Sequence, residues 1–245
     1  MFKQFGHILC ALALSQISFA QEIIEDDPPV STKNKFISFE FSPQITDSYQ
    51  RTKSDDGLYQ FIAEFNNEIL KPKFSFSAGS SILFSLSDRL LINPGIIYIN
   101  KGGKDFFELN SVFPSATTPV SIAHTYSLHY INFPVLLRFN FFENVIKFYG
   151  NIGIVPNLSF FSSTKSKSQY SDGTITTTKS ANTSTLNINL SGNVGFGMGF
   201  AINPVSSFSF EPNFEYGIFD FTRFEIKNHL WSAGIKFSYI RLLGK

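Results

Sequence analysis

The three histidines that follow residue 20 are the side chains best suited to metal binding or acid–base catalysis: His124, His129 and His229. His124 and His129 are five residues apart, so on a strand they would point to opposite faces and could not bind one metal ion together. Ser127 and His129 would share a face, which makes a membrane enzyme acting on lipid or peptide one alternative function. A Ser-x-His pair without a third, orienting group is too common to indicate a nucleophile. The sequence therefore predicts no catalytic, cofactor-binding or metal-binding residue and no cofactor.

The glycines of LNINLSGNVGFGMGF, residues 186–200, are a second candidate for chemistry, because glycine-rich loops can bind phosphate. From Gly195 onward they recur at every second position and no helical pattern follows, which argues against a phosphate loop. Val194 and Phe196 alternate with them, which predicts a strand with one apolar face and one small or polar face. Glycine on the inward face of a narrow barrel would leave room for opposing side chains.

Charged residues in the polar phase of the predicted strands are a third candidate. They are three acids and three bases: Glu40, Glu211, Glu215, Arg138, Lys147 and Lys236. Inside a narrow barrel these groups would have to pair and form hydrogen bonds, since an unpaired buried charge is costly. The expected arrangement is a structural plug, with a proton or ion path as the alternative.

The composition favours an exported β protein with one structural domain. Of 245 residues, 43% are hydrophobic and only 16% are charged, whereas soluble domains have about 25% charged residues. Residues 1–20 are typical of a signal peptide, with Lys3 near the start, an apolar centre and a small-x-small cleavage site. Its removal would take away Cys10, the only cysteine, and leave 19 basic against 19 acidic residues, which argues against nucleic acid as a partner. Residues 21–34 are expected to be a flexible periplasmic lead-in, and residues 35–245 the barrel domain.

Eight stretches alternate with the period of a strand, and no run of about 18 apolar residues after the signal predicts a membrane-spanning helix. The predicted strands lie near residues 35–43, 73–86, 90–100, 125–139, 145–156, 186–200, 207–216 and 229–240. Short turns join the second strand to the third, the fourth to the fifth and the sixth to the seventh, whereas the other connections are longer and polar. Short turns at one end and long loops at the other are typical of outer-membrane barrels.

The apolar face of these strands is predicted to contact lipid. The opposite face consists of Ser, Asn, Gly, Glu and Lys, whereas a solvent-exposed face would have more long charged side chains. Trp231 and Tyr239 would stand roughly 20 Å apart along the axis of a tilted barrel, close to the spacing of aromatic girdles. The predicted fold is all-β: an eight-stranded, antiparallel, up-and-down transmembrane β-barrel located in the outer membrane. A soluble ligand-binding barrel is the alternative.

Two stretches resemble PorT-like outer-membrane β-barrels of Gram-negative bacteria. They are KPKFSFSAGSSILFSLSDRLLINPGIIYINKGG, residues 71–103, and YINFPVLLRF, residues 130–139. Tyr130, Pro134 and Arg138 match the pattern of the second stretch, but Asn132 stands where that family usually has an acidic residue. The resemblance covers most of residues 35–240. It implies a location more firmly than an activity, since the family includes proteins linked to secretion.

The connection between the fifth and sixth predicted strands is expected to form a hairpin that stands clear of the membrane. Its sequence is TKSKSQYSDGTITTTKSANTST, residues 164–185. Asp172 and Gly173 indicate a type I′ turn, and the flanking Thr, Ile and Tyr residues favour strands. The expected function is a non-enzymatic structural or interaction scaffold. It would contact outer-membrane lipid and, through its extracellular loops, a secretion or envelope protein.

Overall fold

The computed structural model describes residues 35–52, 57–109, 118–143, 146–182, 187–219 and 226–243. The predicted signal peptide, residues 1–20, and the predicted lead-in, residues 21–34, lie outside the described residues. The described part contains eleven strands and one helix. The strands are β1 (Lys35–Thr52), β2 (Lys71–Ser85), β3 (Leu90–Lys101), β4 (Gly103–Glu108), β5 (Pro119–Asn132), β6 (Val135–Glu143), β7 (Ile146–Tyr170), β8 (Ile175–Asn182), β9 (Asn187–Asn203), β10 (Ser206–Gly217) and β11 (Ile226–Leu242), and the helix is α1 (Gly57–Ile69).

The strands form one antiparallel sheet that closes on itself. β1 pairs with β2 on one side and with β11 on the other, so the first and last strands complete the ring. Between them the neighbours follow the order of the chain, because β2 pairs with β3, β3 with β5 and β6, and these two with β7. β7 then pairs with β9, β9 with β10, and β10 with β11. The fold is therefore an all-β antiparallel barrel.

The predicted count of eight strands is wrong, because the described residues form eleven strands. The chain runs up or down the wall of the ring eight times, and we call each of these crossings a pass. Three passes are each divided into two strands: β3 and β4, β5 and β6, and β8 and β9. The first division is at Gly102, whose φ is 141°, and the second is at Pro134, which has no N–H to donate to a strand partner. β8 and β9 pair one after the other with the same strand, β7, on either side of residues 183–186.

The two faces of the ring differ as the alternation predicts. Phe196 is 54% exposed and Ile235 is 39% exposed, whereas Asn193 is 9% exposed. Arg138 of β6 and Glu211 of β10 contact each other although their strands do not pair, which places the polar side chains inside the ring. Most large apolar side chains form the outer surface, and a smaller set is buried.

Helix α1 fills the connection between β1 and β2, where the sequence does not predict a helix. Its Asn67 side chain accepts a hydrogen bond from Gln50 N–H at 2.8 Å and donates one to the Gln50 carbonyl at 2.9 Å. The amide thus takes the place of a strand partner beyond the end of β2. On the side of the helix away from Asn67, Phe61 and Phe65 are exposed and their rings stack at 6.2 Å.

Within the described ranges, no helix has the length and apolar character needed to cross a membrane.

One part of the wall extends far beyond the rest. β7 has 25 residues, more than twice the roughly 9–11 that cross a bilayer. β5 pairs with β7 as far as Tyr170, the last residue of β7. β4 pairs with β5, and β8 pairs with residues 162–169 of β7. We call this four-stranded extension the distal sheet; it consists of residues 103–108, 119–129, 161–170 and 175–182. The predicted hairpin is thus present, as half of a wider sheet.

The tip of the distal sheet is a three-residue turn, Ser171–Gly173. Tyr170 N–H donates to the Thr174 carbonyl at 2.9 Å, and Gly173 N–H donates to the Tyr170 carbonyl at 3.0 Å. The prediction of a two-residue type I′ turn is therefore wrong by one residue, and Gly173 alone takes the left-handed position, with a φ of 83°. A hydrogen bond from Thr174 N–H at 2.8 Å lowers the pKa of the exposed Asp172 carboxyl group.

Candidate functional site

Glu211 is the centre of a charged cluster inside the barrel. It lies on β10 and is completely buried. Lys236 Nζ of the neighbouring β11 is 2.8 Å from Glu211 Oε1, and Asn151 Nδ2 of β7 donates to Glu211 Oε2 at 2.6 Å. Arg138 of β6 approaches the same Oε2 atom to 3.8 Å. One carboxylate therefore joins three other strands across the interior.

The remaining contacts of this cluster balance its charges. Lys236 Nζ is also 3.5 Å from Glu40 Oε2, so one ammonium group lies between two carboxylates. The Arg138 guanidinium group lies over the Tyr149 ring, 3.9 Å from its centroid. Two acids and two bases are thus paired inside the ring, as the hypothesis of a structural plug requires.

A second cluster surrounds Glu215, which lies four residues after Glu211 on β10 and points to the same face. Lys101 Nζ lies 2.5 Å from Glu215 Oε1, and both side chains are buried. Asn132 Nδ2 donates to Glu215 Oε2 at 3.5 Å. The resemblance predicts an acidic residue at position 132. Asn132 occupies this position instead, and its amide contacts the Glu215 carboxylate of β10. Lys101 also lies 5.8 Å from the centroid of the Tyr130 ring.

The prediction that Lys147 pairs inside the barrel is wrong. Lys147 shares its phase with the buried Tyr149, but it is the second residue of β7, next to a short turn, and its side chain is exposed. In the part of the chain that the structure describes, Lys147 forms no ion pair. Among the described residues, sequence reasoning missed two buried bases, Lys101 and Lys73. The first of them pairs with Glu215. Lys101 directly precedes Gly102, at the end of a strand whose phase in the sequence is ambiguous because of Pro94 and Gly95.

The glycines of β9 leave the space that the first cluster occupies. A Cβ atom at Gly195 would lie 2.5 Å from Glu211 Oε1, and one at Gly197 would lie 2.4 Å from Tyr149 Cζ. Carbon atoms in contact normally stand about 3.5–4.0 Å apart, so neither position accepts a side chain without movement. The interpretation of these glycines as room for opposing side chains is confirmed.

We expect Gly197→Ala to destabilise the barrel by about 1–3 kcal/mol, because the Tyr149 ring is held against Arg138 and has to move. Gly199→Ala is the matched control. It lies on the same strand in the same phase, and the nearest atom to its Cβ would be 3.9 Å away, an ordinary contact. Urea titration of folding into lipid vesicles measures both variants. Equal stability of the two variants would show that Tyr149 does not need the space.

Ser127 and His129 bind different partners. Lys73 donates to three acceptors and so uses every hydrogen of its ammonium group: Ser127 Oγ at 2.8 Å, the Tyr126 carbonyl at 3.0 Å and Asn100 Oδ1 at 2.5 Å. His129 Nδ1 lies 2.6 Å from the Tyr98 hydroxyl. The enzyme hypothesis requires a hydrogen bond between Ser127 and His129. Among the hydrogen bonds of the described residues there is none between these two side chains.

The other two histidines are also held separately. His124 Nδ1 lies 2.8 Å from Ser166 Oγ on β7, and His229 Nδ1 lies 2.9 Å from the Gly217 carbonyl. Over the described ranges, no group of three or more His, Cys, Asp or Glu side chains is placed to hold a metal ion.

A closed antiparallel ring with an apolar outer surface and a polar, filled interior defines a small membrane β-barrel. Residues 19–223 match the family described as "Outer membrane protein beta-barrel domain", and the chain belongs to this family. The protein is therefore an outer-membrane barrel, and the alternative of a soluble ligand-binding barrel is not retained.

Three solved structures show the general likeness. The chain is 11% identical to Neisserial surface protein A (NspA), with 85% of this chain and 97% of that chain covered and a TM-score of 0.44. It is 14% identical to Ail, the attachment invasion locus protein of Yersinia pestis, with 84% and 98% covered and a TM-score of 0.31. For the N-terminal β-barrel domain of Pseudomonas aeruginosa OprF the identity is 11%, the coverage 85% and 97%, and the TM-score 0.33. No curated protein matches the sequence.

Proposed function

We propose that this protein is a non-enzymatic, PorT-like scaffold that is exported by means of residues 1–20 and binds an envelope or secretion protein through its distal sheet. The observation that carries this proposal is the open edge of β8. β8 pairs with β7 along one side, and no strand of the described residues pairs with its other side. An unpaired strand edge offers backbone N–H and C=O groups to a strand of another protein.

The sequence of β8 suits pairing with another strand. ITTTKSAN has four β-branched residues and one charge, Lys179, and it contains no proline. β8 pairs with β7, which pairs with β5, and β5 pairs with β4, so the strand belongs to a four-stranded sheet. An isolated two-stranded ribbon would be only marginally stable. The distal sheet therefore presents β8 in an extended conformation before any partner binds.

The filled interior supports a scaffold over a general pore. The side chains of Glu40, Arg138, Glu211 and Lys236 meet inside the ring, and all four are at most 8% exposed. In barrels of about eight passes, side chains occupy the interior and leave no wide channel. Function is then expected at the ends of the barrel, where the distal sheet projects.

We expect Thr177→Pro to abolish partner binding while leaving the barrel folded. The Thr174 carbonyl accepts from Tyr170 N–H on β7, and residues that direct their backbone groups to the partner strand alternate along an antiparallel ladder, so the N–H of Thr177 points to the open edge. Proline removes that donor without removing a hydrogen bond to β7. A photoreactive amino acid at position 175 in living cells, followed by mass spectrometry of the crosslinked product, measures the contact.

Thr177→Val is the matched control, because valine keeps the N–H group and the branched Cβ. Crosslinking should persist in Thr177→Val and be lost in Thr177→Pro; equal crosslinking in the two variants would rule out strand pairing. Protease added to intact cells should cut near Gly173, at the exposed tip, and leave the barrel folded. If the cut requires opening of the outer membrane, the distal sheet faces the periplasm and the proposed extracellular partner is excluded.

A further inference from the structure

Lysines line up across one face of the distal sheet and the adjoining end of β2. Lys71 of β2 is directly opposite Lys104 of β4, Lys104 is opposite Thr125 of β5, Thr125 is opposite Lys165 of β7, and Lys165 is opposite Lys179 of β8. We call these four lysines the lysine row; it crosses five strands, a width of about 19 Å at roughly 4.8 Å between strands. All four side chains are exposed.

The lysine row is electrostatically unfavourable as it stands. Lys71 and Lys104 are a directly opposed pair, and so are Lys165 and Lys179, and like charges at such positions destabilise a sheet. Lys167 adds a further exposed ammonium group to the same face. In the described part of the chain none of these lysines forms an ion pair, although Asp47 is close enough to Lys71 to interact with it electrostatically.

The opposite face of the distal sheet has a different character. The corresponding row there consists of Asp105, His124, Ser166 and Thr178. Asp105 accepts hydrogen bonds from the Tyr126 hydroxyl and from His124 N–H. The positive charge is therefore confined to one face, as expected of a surface that meets an anionic layer.

On β5 and β7 the lysine face continues the lipid-facing surface of the barrel. His129 and Phe161 are directly opposite each other on β5 and β7, four residues before Thr125 and Lys165 and in the same phase. Their rings are 5.2 Å apart, and Tyr98 packs on His129 at 6.0 Å, which gives an aromatic cluster of the kind found where hydrocarbon meets headgroups. Four residues along a strand tilted by about 40° place the lysine row roughly 10 Å above this cluster.

Helix α1 distinguishes a lipid surface from a soluble polyanion as the occupant. It ends at Ile69, immediately before the row, and Lys71 Nζ donates to the Glu68 carbonyl at 3.3 Å. Its exposed Phe61 and Phe65 lie within the last two to three turns of the helix, which precede the first lysine in the chain. Aromatic residues next to lysines are the combination that binds the headgroup–acyl boundary of an anionic membrane.

We infer that the lysine row binds phosphate groups of the lipids in the outer leaflet, with Phe61 and Phe65 of α1 inserted beside them. The ammonium groups of Lys71, Lys104, Lys165 and Lys179 bind the phosphates, and the anions relieve the repulsion within the two opposed lysine pairs. Lysine side chains are long enough to reach back from this height toward the headgroups. The lipid surface would fix the height and tilt of the distal sheet, independently of whether a protein binds the edge of β8.

The test compares lipid retention by the full-length barrel in mild detergent, measured by native mass spectrometry, with lipid A, dephosphorylated lipid A and phosphatidylcholine as probes. The test variant replaces Lys71, Lys104, Lys165 and Lys179 by Gln. Wild type should retain lipid A in preference to both other lipids, and the variant should retain at least about tenfold less, since each lysine near an anionic surface contributes roughly a factor of five. Replacement of the same four residues by Arg should restore retention.

Lys147→Gln is the matched control, because Lys147 is an exposed lysine at the other end of the barrel. Its retention of lipid A should equal that of wild type, and heat-dependent gel mobility verifies that each variant is folded. Equal retention of phosphorylated and dephosphorylated lipid overturns the inference, as does retention that is unchanged in the Gln variant. Soluble polyphosphate that displaces lipid A completely would show a polyanion site and also overturn it. Thr177→Pro should leave lipid retention unchanged, so this inference and the proposed function fail separately.

Discussion

Glu211→Gln should destabilise the barrel by about 3–5 kcal/mol, the cost of removing one partner from a buried ion pair. Glutamine keeps the shape and one oxygen that can accept from Asn151, but it removes the charge 2.8 Å from Lys236 Nζ. Arg138 loses its carboxylate partner as well. Urea titration of folding into lipid vesicles gives the free energy of unfolding.

Glu40→Gln is the matched control for this prediction. Glu40 is also buried and also contacts Lys236, but at 3.5 Å, and its removal leaves the shorter Lys236–Glu211 contact in place. Its cost should be clearly smaller. Lys236→Met combined with Glu211→Gln should recover part of the loss, because the double variant restores the balance of charge in the cluster, where one base, Arg138, and one acid, Glu40, remain. A double variant as unstable as the sum of the single ones would show that the charges do not interact.

Phe196→Arg should cost about 2–4 kcal/mol, the range for arginine near the midplane of the lipid-facing surface of a barrel. Phe196 is 54% exposed and lies on β9 between the exposed Ile188 and Ile202, so an arginine there would place its charge in hydrocarbon. Folding into vesicles of defined lipid, followed by urea titration, measures the difference from wild type.

Val205→Arg separates the effect of membrane depth from the effect of the substitution itself. Val205 is also exposed, at 47%, but it lies in the short turn between β9 and β10. At this level arginine should cost only about 0–1 kcal/mol. Equal losses at Phe196 and Val205 would mean that β9 does not cross the hydrocarbon at the depth that we assign.

The strand passes and the orientation of their faces could be predicted from the sequence. Alternation places Phe196 outside and Asn193 inside, because a strand directs successive side chains to opposite faces. The same parity identified Glu40, Glu211, Glu215, Arg138 and Lys236 as lumenal, and the structure buries all five. The glycines at 195 and 197 indicated a crowded interior for the same reason.

Other features depend on contacts between residues far apart in the chain. Passes divide at Gly102 and Pro134 because of how neighbouring strands pair around a bend. The contact between Lys101 and Glu215 depends on the same bend. Helix α1 could not be predicted from the alternation of residues. Its 13 residues are held at the end of β1 by the hydrogen bonds between Asn67 and Gln50. Local propensity carries no information about such a distant partner.

The lysine row shows the limit of sequence reasoning most clearly. Lys71, Lys104, Lys165 and Lys179 are separated by up to 108 positions, and in the sequence each is an ordinary polar residue of a loop or a strand end. Only the register of four strand pairings brings them to one line on one face. The sequence by itself determined that apolar and polar residues alternate along the strands, that the polar face turns to the interior, and that a hairpin projects from the barrel. These properties depend on the period of the strand. Tertiary structure decided which charges meet, because cross-strand register is set by closure of the whole ring.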